Sequence, residues 1–126
     1  WDIAEGAGFF DPAHKEQLTW TLMIMQPDFV DQLLFGTAKH MVKQKKDNPC
    51  VDQVVMKELD EGDCAQIMHI GPYDNEPESF EKLDAFITGQ GLKRVEKKHH
   101  EIYLSDPRKV APEKRKTVLR VRVKLR

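Results

Sequence analysis

The sequence predicts an α+β fold in which antiparallel sheets are covered on one face by helices. Three observations predict it. Apolar residues recur at helical spacing in two segments, short β-rich stretches lie in pairs around the second of these, and Gly, Pro, Asn and Asp mark the breaks between them. From residue 51 onward the predicted order is strand, strand, helix, strand, strand, which contains a strand-helix-strand-strand module.

Each element has a local cause. Residues 4–17 carry Gly6, Gly8 and Asp11-Pro12 and suit a loop, whereas Leu18 to Met25 is β-rich, stops at Pro27 and is expected to pair with residues near Trp1. After Pro27, Asp28 is the expected N-cap of a helix whose Phe29, Val30, Leu33, Leu34, Thr37, Ala38, Met41 and Val42 form one stripe. Lys43, Lys45 and Lys46 favour its C-terminus through the helix dipole, and Asn48-Pro49 ends it. Val51 to Leu59 and Cys64 to Ile70 read as a hairpin turning at Asp60-Glu61-Gly62-Asp63. Gly71-Pro72 closes it, and Pro77 opens a second helix with Phe80, Leu83, Phe86 and Ile87 on one face, ending at Gly89 and Gly91. Leu92 to Val95, His99 to Ser105 and Thr117 to Leu125 follow as strands, with Asp106-Pro107 opening a turn-rich connection before the last.

Composition narrows the function classes. The chain has 126 residues, 33% of them charged, with 20 Lys+Arg against 21 Asp+Glu. That length buries a core without the help of disulfides or a structural metal. No apolar run reaches the ~20 residues of a membrane span, so a membrane is not an expected partner. Cys50 and Cys64 lack metal or redox spacing and read as reduced thiols of a cytoplasmic protein; no metal and no cofactor is expected. Charge is polarised: residues 52–86 hold ten acids against two bases, and residues 108–126 hold nine bases against one acid. Arg120, Arg122 and Lys124 alternate with Leu119, Val121, Val123 and Leu125, the pattern of a strand's solvated face rather than of a nucleic-acid-binding tail. Trp1 stands where an initiator methionine would, so the chain is expected to begin inside an element of a longer protein.

Chemistry concentrates on one strand. Period two puts Glu101 and Tyr103 on one face with His99 and Ser105, and His100, Ile102 and Leu104 on the other, where the apolar pair is expected to lie under the helix. A carboxylate beside a phenol on a pocket wall serves as an anchor for cations or as a general base; on an open face the same pair is a solvated Glu and a half-buried Tyr. The strand from Leu18 to Met25 is apolar on both faces, Leu18, Trp20, Leu22 and Ile24 against Thr19, Thr21, Met23 and Met25, which suits a strand between a core and a cleft. Trp20 fits core or cleft, and Met23 and Met25 fit a plastic apolar pocket or a core gap. His69, before Gly71-Pro72-Tyr73-Asp74, either pins that turn or lines a site. His99 and His100 diverge across the strand and cannot chelate one ion together.

Four phrases in combination make the sequence specific: His69-Ile-Gly-Pro-Tyr-Asp74, Gly89-Gln-Gly-Leu92, His100-Glu-Ile-Tyr-Leu-Ser-Asp-Pro-Arg108, and Glu113-Lys-Arg-Lys-Thr-Val-Leu-Arg120. They resemble the GyrI-like small-molecule-binding family, and Trp20-Thr-Leu-Met-Ile with Gln26-Pro-Asp-Phe29 resembles its stand-alone subgroup, over residues 1 to about 123. The resemblance implies two strand-helix-strand-strand modules related by a pseudo-twofold axis, with antiparallel sheets and a ligand cleft between them. Residues 1–27 would be the closing hairpin of a first, partial module, residues 28–50 the connecting helix and linker, and residues 51–126 the complete second module. A missing upstream part leaves a sheet edge bare, which calls for a homodimer or a complementing N-terminal segment as partner.

The resemblance also implies a function. Family members bind bulky apolar or cationic compounds, and the buried Glu of the Glu-Ile-Tyr phrase is their polar anchor, here Glu101. Some stand-alone members hydrolyse cyclopropanoid genotoxins by adding water, which would cast Glu101 as the base and Tyr103 as its catalytic partner, a detoxification role. Trp1, Trp20, Met23, Met25, His69 and Tyr73 are the further expected ligand-lining residues. The alternative is a non-enzymatic interaction protein, as the gyrase-inhibitor namesake implies, using the acidic stretch 52–86. No nucleic acid is an expected partner.

Overall fold

The computed structural model describes residues 2–3 and 18–126. Trp1 and residues 4–17 fall outside them, and with them the loop expected over 4–17 and the ligand-lining role expected of Trp1. The chain divides into two compact units, residues 22–60 and residues 1–21 with 61–126.

In the first of these, β-propensity yields to turn and capping chemistry. Val30 N–H donates to the Pro27 carbonyl at 2.9 Å, closing a turn over the residues that were expected to start the helix. Helix α1 therefore spans Gln32–Lys45, and its N-cap is Asp31 rather than Asp28: the Asp31 carboxylate accepts from Leu34 N–H at 2.8 Å. Lys43 and Lys45 occupy the last turn as expected, and extended Lys46 ends the helix. The strand expected over Val51 to Leu59 does not form. Pro49–Gln53 is a 3-10 turn capped by Asn48, and residues 54–60 have no regular structure. The reason lies in α1, whose Lys39 ammonium donates to the carbonyls of Asp52 and Val54, while Gln32 donates to that of Met56. Carbonyls taken by side chains are lost to a strand ladder.

In the other unit, strand β1 (Asp2–Ile3) pairs antiparallel with β2 (Leu18–Thr19), the pairing expected near Trp1. Strand β2 ends at Thr19 rather than at Met25. Residues 20–26 have no strand partner among the described residues, and β-propensity without pairing does not hold a strand. The main sheet is built on β6 (Lys116–Leu125). On one side β6 pairs antiparallel with β3 (Cys64–Ile70), from Cys64↔Arg122 to Ile70↔Lys116, so β3 takes the partner that the missing 51–59 strand was expected to supply. On its other side β6 pairs with β4 (Leu92–Arg94) and then β5 (His100–Tyr103). A 3-10 turn at Tyr73–Asn75 leads into helix α2, Glu76–Gly89, between β3 and β4. The strand-helix-strand-strand order is thus present, and the fold is α+β with an antiparallel sheet.

The core joins Phe80, Leu83 and Ile87 of α2 to Ala65 of β3 and to Leu119, Val121 and Val123 of β6. Phe86, expected on the same stripe, is 57% exposed because it lies to one side of the line through Phe80, Leu83 and Ile87. No helix among the described residues is long and apolar enough to cross a membrane.

The register also decides which face of β5 lies under α2, and here the expectation is reversed. Buried Thr117 and Leu119 stand opposite Tyr103 and Glu101, so Glu101, Tyr103 and His99 share the helix-covered face. The Phe80 ring meets the His99 ring edge-on at 4.8 Å. Ile102 pairs with Val118 on the other face, and Leu104 is exposed. The core parity of β6 imposes this arrangement, since antiparallel partners must point the same way.

Candidate functional site

The site is assembled around Glu101. Its side chain is 9% exposed, and both oxygens accept hydrogen bonds. His99 Nε2 donates to Oε1 at 2.9 Å, and the Tyr103 hydroxyl donates to Oε2 at 2.5 Å, within the range of a charge-assisted bond. Glu101 and Tyr103 come from β5 and His99 from the residue just before it, all at period two, so the extended backbone sets their spacing. Packing of His99 against Phe80 then orients the imidazole from behind.

Tyr103 is 49% exposed, which leaves part of the phenol ring open beside a buried carboxylate. Tyr73 packs against it edge-to-face, with centroids 5.8 Å apart. The Arg115 guanidinium lies 5.4 Å from the Tyr73 ring and donates to the carbonyls of Pro107 and Val110. The Asp-Pro connection is thereby folded back beside the aromatic pair.

His69 is buried and uses both ring nitrogens. Nε2 faces the Pro72 carbonyl at 2.9 Å and must donate, so in the neutral ring Nδ1 accepts from the Ser79 hydroxyl, also at 2.9 Å. This ties the His-Ile-Gly-Pro turn to α2 and so places Tyr73. Gly71 within that turn has φ +141°, a backbone state that side-chain-bearing residues rarely adopt.

Glu76, the first residue of α2, is a buried acid that feels the charge of Glu101 and that sequence reasoning missed. It is 6% exposed, and its Oε1 is buried with no hydrogen-bond partner among the described residues. Burial, followed by the negative charges of Glu101 and Asp74, pushes its carboxyl up to about 8. A signal existed: Glu76 lies four residues before Phe80 and seven before Leu83, on the buried stripe of α2. Thr117 Oγ1, on the residue opposite Tyr103, is likewise buried without a partner among the described residues. His99 was also missed as a site residue, although its parity with Glu101 was visible.

The structure therefore gathers Glu101, Tyr103 and Tyr73, with His69 fastening the turn behind them. Trp20 is half-exposed in the same unit, and Met23 and Met25 belong to the 22–60 unit. On the opposite sheet face Glu61 accepts from Arg120 and His100; these bonds outweigh burial and hold its carboxyl below the usual range. A separate groove of about 720 Å³, lined by Asp84, Ile87, Leu92, Arg94 and Arg126 among others, includes none of the Glu101 group.

Known proteins share this arrangement of strands and helix. A hydrolase from Listeria innocua is 39% identical with a TM-score of 0.72, over 79% of this chain and 52% of its own. An uncharacterized conserved protein from the same organism is 41% identical with a TM-score of 0.74, over 79% of this chain and 50% of its own. The chain thus spans about half the length of these structures. No curated protein matches it. The sequence profile of the GyrI-like small molecule binding domain matches residues 14–124, and with the fold and the Glu-Ile-Tyr strand in agreement, this chain belongs to the GyrI-like small-molecule-binding domain family.

Proposed function

We propose that the chain binds bulky apolar or cationic small molecules against the Glu101 carboxylate and hydrolyses cyclopropanoid compounds there by adding water. The observation that carries this reading is the nine-tenths-buried Glu101, held at both oxygens beside a half-exposed phenol. Such a carboxylate is placed and aimed before any ligand arrives, so little ordering remains to be done on binding. The Tyr73–Tyr103 pair offers ring faces and edges to a planar ligand. A hydrolase among the structural neighbours adds support for turnover.

For a cyclopropane conjugated to a carbonyl, the step balances without a cofactor. Glu101 takes a proton from water, the hydroxide oxygen bonds to the ring CH2, and the strained carbon–carbon bond breaks. Its electron pair moves into the conjugated carbonyl, and the resulting enolate, a phenolate where the carbonyl belongs to a cyclohexadienone, takes up a proton from solvent. Glu101 gives up the one it took, which restores the carboxylate. His99 steadies the carboxylate through this cycle, and Tyr103 is the donor beside it. Removing a positioned general base costs about 10²-fold or more in rate.

Mass spectrometry of a cyclopropanoid incubated with the protein tests this. The wild type is expected to give the water adduct, and Glu101→Gln is expected to leave the compound intact while apolar ligand binding stays measurable. Undiminished turnover in Glu101→Gln would remove Glu101 from the catalytic role.

A further inference from the structure

A buried carboxyl oxygen with no partner is costly to keep, and two carboxyl groups pressed together cannot both ionise freely. Glu76 meets the first condition, being 94% buried by its 6% exposure with Oε1 unpartnered among the described residues, and the negative charge of Glu101 adds to burial in opposing its ionisation. Among the buried residues of α2, which are otherwise Phe80, Leu83 and Ile87, Glu76 is the one acid, set in the first turn where the helix dipole suits a negative charge. Thr117 supplies a second unpartnered polar atom on the strand opposite Tyr103.

We propose that Glu76 is the charge-adapting residue of the Glu101 site: it stays a neutral hydrogen-bond donor toward uncharged ligands bearing an acceptor oxygen, and it releases its proton to solvent when a lipophilic cation binds. The inference rests on the reading of Glu101 as the ligand anchor. One site then offers a single negative charge to neutral compounds and two to cations. Such a site takes both classes without leaving a buried charge unbalanced.

The charges that oppose ionisation of Glu76 are Glu101, bonded to His99 just ahead of β5, and Asp74 in the preceding turn, while His69 on β3 is fastened to Ser79 and Pro72. Arg115 lies over Tyr73 at the same end of α2. Burial and the two acids favour the protonated form, with the carboxyl at about 8, so a cation needs only to reverse that balance.

The test uses the full chain with two probes: tetraphenylphosphonium, a permanent cation, and triphenylphosphine oxide, a neutral acceptor of similar bulk. With the carboxyl at about 8, the ionised fraction rises from about 3% at pH 6.5 to about 90% at pH 9, so cation affinity is expected to strengthen by roughly ten- to thirtyfold. Affinity for the phosphine oxide is expected to fall over the same range. Glu76→Gln, neutral at every pH, is expected to flatten both profiles. Calorimetry in buffers of different ionisation enthalpy is expected to show close to one proton released per tetraphenylphosphonium bound by the wild type near pH 7, and none for the oxide. This last measurement stands even if Glu76→Gln fails to fold.

A flat wild-type profile without proton release overturns the inference, as does a Glu76→Gln protein that keeps the wild-type profile. Glu101→Gln separates the two readings. Loss of tetraphenylphosphonium binding in that variant supports the anchor whatever Glu76 does, whereas wild-type binding, or no binding of the cation by the wild type at any pH, overturns the anchor and this inference together.

Discussion

At the scale of the residue, Glu101 and Glu76 show how the same side chain takes opposite roles through its neighbours. Glu101 is satisfied at both oxygens by His99 and Tyr103, whereas Glu76 is buried with an unpartnered oxygen and is pushed toward the neutral acid. The second case has a consequence for stability. The ordinary value of 4.5 applies to the unfolded chain and about 8 to the folded one, so between those limits the folded state holds more protons and stability falls as pH rises. Below about 4.5 the group contributes no such dependence, and above about 8 the loss is complete. Glu76→Gln removes the penalty. Urea denaturation is expected to show the variant more stable than the wild type by on the order of 3 kcal/mol at pH 8 and by under about 1 kcal/mol at pH 5. An equal difference at both values would mean that Glu76 does not titrate in this window.

At the scale of the element, α2 and β5 are the parts that make the site. The limits of α2 were legible because Pro77 and Gly89 bracket an apolar stripe, and those of β3 because Gly71-Pro72 ends it. What distinguished Leu83 from Phe86 was not: both are large and apolar, yet Leu83 is 2% exposed and Phe86 is open to solvent. Leu83→Ala is therefore expected to cost about 2–4 kcal/mol in denaturant unfolding, and Phe86→Ala under about 1 kcal/mol. Comparable losses would show that the stripe is centred elsewhere. The missing 51–59 strand teaches a related lesson, since Val54 and Val55 have strand propensity but the Lys39 and Gln32 side chains claim the nearby carbonyls. Propensity is local, and competition for a carbonyl is not.

At the scale of the whole molecule, the polarity of charge along the chain turns out to be partly used within the fold. Arg120 reaches Glu61 and Gln66, Arg122 reaches Glu96 and the Glu61 carbonyl, and Arg94 makes a two-point pair with Asp84. Basic residues engaged in this way stitch strands together. Saturating tetraphenylphosphonium is expected to stabilise the chain by about 2.7 kcal/mol at one hundred times its Kd, read as a raised thermal midpoint, and to leave Glu101→Gln unmoved. What the sequence by itself determined were the features set by neighbours along the chain: the extent of α2 and β3, the family phrases, and the pairing of Glu101 with Tyr103, because alternation is intrinsic to an extended backbone. Only the tertiary structure decided that this pair faces α2 rather than away from it, and that Glu76 comes under the influence of Glu101. Both depend on the register of β5 on β6 and on the seating of α2 over that sheet, contacts between segments that neither periodicity nor composition can place.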